Sequence, residues 1–100
     1  MIEFVSGGRQ FGKTVAMIRL AAEHGGYIVV PNHRQARHVA DQAEAMGLSI
    51  PFPMTWTEFA QGRYSPRGVR NVVIDNLDQC LQSMATVPIL GASIPAARQA

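Results

Sequence analysis

Residues 7–14 read GGRQFGKT, between the apolar run IEFV at 2–5 and the stretch VAMIRLAAEH at 15–24. Gly7, four residues, Gly12, Lys13 and Thr14 match G-x-x-x-x-G-K-[ST], a loop pattern that wraps phosphate groups. Gly7, Gly8 and Gly12 allow backbone turns that a Cβ would resist. The N–H groups of Gly8, Arg9, Gln10, Phe11, Gly12, Lys13 and Thr14 can then converge on a triphosphate, and the helix that follows adds the positive end of its dipole. Lys13, the only lysine among the nine basic residues, is the group that reaches the β- and γ-phosphates in such a loop, and the Thr14 hydroxyl is its Mg²⁺ ligand.

Reading outward from the loop, strands and helices alternate. IEFVS (2–6) predicts a strand, Lys13 to His24 a helix closed by Gly25–Gly26, and YIVVP (27–31) a second strand. Asn32 is a helix cap for His33 to Met46, whose apolar residues Ala36, Val39, Ala40, Ala43 and Met46 recur at helical spacing. The prolines of SIPFPMTW leave only a short strand near Met54–Trp56, and Thr57 is expected to cap a short helix through Gln61. GRYSPRG (62–68) reads as a loop, NVVID (71–75) as a strand, Leu77 to Met84 as a helix and VPILGAS (87–93) as a last strand, with residues 94–100 frayed. The expectation is a single α/β domain over 1–100, a mostly parallel sheet of about four to five strands flanked by helices. In such sheets ligands lie at the carboxyl ends of the strands, which brings GGRQFGKT and Asp75 to one rim.

Asp75 ends its apolar strand as the second half of a nucleoside triphosphatase site does, where a carboxylate helps Thr14 to hold the metal. Asn76 follows it. An amide cannot take a proton but can orient water by hydrogen bonding, and Asp78 is a second candidate for that work.

Taken in order, these segments resemble a family: the first RecA-like domain of superfamily 2 helicases and the ATPase domain of phage large terminases. GGRQFGKT is similar to motif I, with Arg-Gln-x-Gly-Lys-Thr close to the terminase form. YIVVPNHRQARHVADQ resembles motif Ia, PMTWTEF the segment before motif II, NVVIDNLDQ motif II, and ILGASIP motif III. The resemblance implies a minimal RecA-like P-loop NTPase that binds ATP and Mg²⁺. Gly12 and Lys13 would contact phosphate, Thr14 and Asp75 the metal, and Arg9 the charge developing on the γ-phosphate. Asn76 stands where the family has glutamate, so hydrolysis is expected to be slow. The second domain of the helicases and the nuclease domain of the terminases have no counterpart in the pattern, so unwinding and packaging are not expected of this chain alone.

Composition sets wider bounds. The 100 residues suit one domain, and 47% hydrophobic residues suit a globular core. A net charge of +2 is weak support for nucleic acid as a partner, although Arg63, Arg67 and Arg70 cluster before the Asp75 strand and HRQARH (33–38) offers a basic helix face. The lone Cys80 gives no disulfide framework, and His24, His33 and His38 lack metal-ligand spacing. Trp56 and Phe59 read as core or interface. No signal peptide or membrane-length apolar run is evident, so a cytoplasmic protein is expected, in the host cytoplasm if the chain is viral. Two readings of function stand: a Mg²⁺-dependent ATPase acting alone or in an assembly, as a homo-oligomer or with a protein partner, and a nucleotide-holding module that docks on a helicase, packaging or replication partner without appreciable hydrolysis. A small nucleotide kinase is a third, less suited because no arginine-rich lid segment is evident.

Overall fold

The computed structural model describes residues 2–6, 10–63, 68–95 and 98–99. In chain order the elements are β1 (Val5–Ser6), α1 (Gln10–His24), β2 (Tyr27–Val30), α2 (His33–Ala45), β3 (Met54–Thr55), α3 (Trp56–Ala60), β4 (Val72–Ile74), α4 (Leu77–Ser83) and β5 (Arg98–Gln99). The α/β class holds. The single sheet of four to five strands does not: β3, β2 and β4 form one parallel sheet in that order, and β1 pairs with β5 in another.

The central strand is β2, with Val29 opposite Met54 on one side and Ile74 on the other. Its YIVV sequence suits burial on both faces. Ile28 and Val30 join Val73 of β4 in a cluster with Met17, Ile18 and Ala21 of α1 and Ala36, Val39 and Ala43 of α2. The stripe expected on α2 is its core face at Ala36, Val39 and Ala43, with Met46 packed at the margin; Ala40, expected in the stripe, is only partly buried and outside that cluster. Side chains alternate across a strand, so Val29, fully buried as well, serves the opposite face.

Asn32 caps α2 as expected: its side chain accepts from the Gln35 N–H at 2.9 Å. Asn32→Ala should cost about 1 kcal/mol, seen in a thermal melt as a midpoint roughly 4–8 °C lower. The cap of α3 is Thr55 and not Thr57. Thr55 Oγ1 accepts from the Glu58 N–H while Glu58 Oε1 accepts from the Thr55 N–H at 2.8 Å, a complete capping box. Trp56 and Phe59 then pair on α3 with ring centroids 5.7 Å apart.

Residues 87–93 are not a strand. Gln82 occupies that backbone instead: its Nε2 donates to the Val87 carbonyl at 2.9 Å and its Oε1 accepts from the Ile89 N–H at 2.8 Å. One side-chain amide thus takes the two bonds that a neighbouring strand would take, and Pro88 supplies no N–H between them. The strand expected here lies further on, as β5 within the segment expected to fray.

Candidate functional site

Thr14 lies on the buried stripe of α1, three and four residues before Met17 and Ile18, and is itself 4% exposed. On β4, alternation puts Val73 and the residue two further on, Asp75, on the face that packs against α1. These two local rules bring Thr14 and Asp75 together. The Thr14 hydroxyl donates to Asp75 Oδ2 at 3.0 Å, between residues 61 apart in the chain. Asp75 is as buried as its partner, at 4% exposure.

Burial pushes the Asp75 carboxyl above its ordinary value; the Thr14 hydroxyl, the Asn76 N–H and the nearby Lys13 and His38 pull the other way without overcoming it. The Asp75 backbone is held from both sides. Its N–H donates to the Val29 carbonyl at 2.9 Å, continuing the β2–β4 ladder. Its carbonyl accepts from the Cys80 thiol at 3.6 Å. Burial first, then Asp75 and Asp78, push that thiol up to about 12, so Cys80 is a fixed strut and not a nucleophile. Its role was hidden in the sequence, where a lone cysteine carries no pattern.

Asn76 has φ 60° and ψ 56°, the only non-glycine residue with positive φ among those described. Asparagine tolerates this left-handed turn better than most residues, and the turn swings the chain from β4 into α4. Its amide nitrogen is buried without a partner among the described residues.

Of the predicted loop, Gly12 is exposed and Lys13 half-buried within the first turns of α1, which starts at Gln10 and not at Lys13. Gly7, Gly8 and Arg9 lie outside the described residues, as do the side chains of Gln10 and Phe11 and the loop at 64–67 with Arg67. Arg63 and Arg70 are exposed. Asp78 is exposed too, and lines a recess with Gln82 and Ile89 and not the one that holds Thr14.

Thr14 opens instead on a cleft of about 810 Å³ walled by α2, through Asn32, Arg34, Gln35, His38, Asp41 and Gln42. Arg34, Gln35 and His38 belong to the HRQARH face that the sequence offered to nucleic acid; their place opposite Thr14 in one cleft has no signal in the α2 sequence, which reads equally as a polar helix face.

Hard oxygen donors suit Mg²⁺, which is usually held by one or two protein oxygens together with phosphate and water. The Thr14–Asp75 pair fits that demand. Among the described residues no group of three or more histidines, cysteines or acids is arranged for a metal, and no helix is long and apolar enough to cross a membrane.

No protein-family model matches the chain, no curated protein is similar to it at a significant level, and no solved structure matches it.

Proposed function

We propose that the chain is a small RecA-like P-loop ATPase that binds Mg²⁺-ATP and hydrolyses it slowly. The observation that carries the reading is the Thr14–Asp75 hydrogen bond: the hydroxyl next to the loop's lysine meets the strand-end carboxylate, the pairing that holds a metal against β- and γ-phosphates. Lys13 binds the same phosphates, and the loop amides orient them. Mg²⁺, when bound, neutralises charge on the transferred phosphoryl group. A water oxygen bonds to the γ-phosphorus while the bridging oxygen leaves on the diphosphate with the bonding pair. The protons of that water end on the released phosphate. The loose transition state of this reaction asks for positioning and electrostatics, so a site without glutamate after Asp75 turns over slowly.

The test is phosphate release from Mg²⁺-ATP by the purified chain, against a Lys13→Ala control. Release above the control is the expected result, and its dependence on Mg²⁺ should follow Asp75. Identical release from both proteins would refute hydrolysis by this chain.

A second reading, a nucleotide-holding module that works docked on a protein partner, is favoured by one observation. Val87, Ile89, Leu90 and Ile94 are all exposed, Leu90 to 97%, and such apolar runs mark interaction surfaces. Nucleotide binding without release of phosphate would favour this second reading.

A further inference from the structure

The cleft beside Thr14 has a cationic far wall that the hydrolysis reading leaves without a task. Arg34 and His38 are one turn apart on α2 and line the cleft together, so they share a helix face. Arg34 is in the first turn of α2, where no acidic residue stands and where the helix dipole disfavours a cation. Neither side chain has an ion-pair partner among the described residues. Arg34 is exposed and faces a helix end that opposes its charge, and an anion in the cleft is the group that would answer it. Gln42, one further turn along, also lines the cleft, and its amide nitrogen is buried with no hydrogen-bond partner among the described residues, a donor that folded proteins rarely leave unmet. Among the described residues that line the cleft, the one acid is Asp41, two turns beyond Arg34.

The wall also looks onto the metal pair. His38 is near enough to Asp75 to favour its charged form, and Thr14 lines the same cleft. Arg34 is one turn nearer than His38 to the carboxyl end of β2, the rim on which phosphate would lie. The cleft volume far exceeds the ~30 Å³ share of one water and falls in the range of small-ligand sites.

Resting on the nucleotide reading above, we infer that Arg34 reaches from α2 to the terminal phosphate of a bound nucleoside triphosphate, so that the chain separates ATP from ADP. Arginine suits the task, because its planar fork can take two phosphate oxygens at once. The contact exists only while the third phosphate is attached. Hydrolysis removes it, and product release is favoured.

The test is calorimetric binding of Mg²⁺-ATP and Mg²⁺-ADP to the wild-type chain, Arg34→Ala, Arg34→Lys and Arg37→Ala. Arg37 is a charge-matched control on the same helix, engaged with the Phe52 ring 5.5 Å away and not with the cleft. Arg34→Ala should weaken ATP roughly 10–100-fold, the scale of a charged hydrogen-bonded contact, and leave ADP within about twofold. Arg34→Lys should recover part of the loss, and Arg37→Ala should change neither nucleotide. Equal losses for ATP and ADP, or no loss of either in a variant with an unchanged melting curve, would overturn the assignment. Wild-type chain that binds neither nucleotide would instead remove the reading on which it rests, and the assignment with it.

Discussion

Lys13→Ala is expected to weaken Mg²⁺-ATP binding about 100-fold and to weaken ADP binding nearly as much. Lys13 is the one ammonium group beside the Thr14–Asp75 pair, and its field already reaches the Asp75 carboxylate. Charged hydrogen bonds contribute about 1.5–3 kcal/mol each, and every 1.4 kcal/mol is tenfold in affinity. A lysine shared between two phosphates sits at the upper end of that scale. The fold should not notice the loss. Lys13 is half-buried at the surface end of α1, and substitutions of that kind usually stay within about 0.5 kcal/mol. Calorimetry for affinity and a thermal melt for stability check the two halves together. Unchanged ATP affinity would place the phosphate site elsewhere, whereas a large drop in the melting midpoint would make any affinity loss uninformative and call for Lys13→Arg.

Asp75→Asn is expected to do two opposite things. It should abolish the strengthening of ATP binding by Mg²⁺, since a neutral amide is a poor ligand for a hard cation. It should also raise the stability of the ligand-free chain by a few degrees in melting midpoint. Asparagine keeps an acceptor for the Thr14 hydroxyl and drops a charge that burial penalises. The pH dependence has a definite sign. The folded carboxyl holds its proton to a higher pH than the ordinary 3.8 of an exposed one. Between those two values the folded state binds more protons than the unfolded state, so this residue's contribution falls as pH rises. Its cost grows as pH rises through the raised folded value and is absent below the ordinary one. Melts at neutral pH and near pH 4 should therefore show the Asn variant ahead at neutral pH, with the gap closing on acidification. A variant less stable at neutral pH would mean that the Thr14 bond outweighs burial, reversing the balance argued here.

The rim where Thr14 meets Asp75 could be read from local rules. Helical spacing buries Thr14 with Met17, Ile18 and Ala21, strand alternation turns Asp75 with Val73, and a parallel sheet sets both at one end. The Asn32 cap was equally local. The cap at Thr55 was not expected, although Thr55 to Glu58 has the spacing of a capping box. The strand expected at 87–93 failed for a reason no local window holds: the Gln82 side chain takes its backbone bonds. The strand at β5 was beyond reach because its partner is at the other end of the chain, and two residues carry no period. The cationic wall of α2 has the same character. Arg34 and His38 gain meaning only once α1 brings Thr14 opposite them.

The pairing of β1 with β5 also bears on when the proposed phosphate site can form. Val5 and Ser6 lead directly into the loop, and the only strand beside them among the described residues is Arg98–Gln99. Bringing these residues together means closing nearly the whole chain into one loop, the most costly closure in the fold. Contacts so distant in sequence form late. During synthesis the sheet of β2, β3 and β4 can assemble while β1 still lacks its neighbour, and the proposed nucleotide site reaches its final form only after Arg98–Gln99 has left the ribosome.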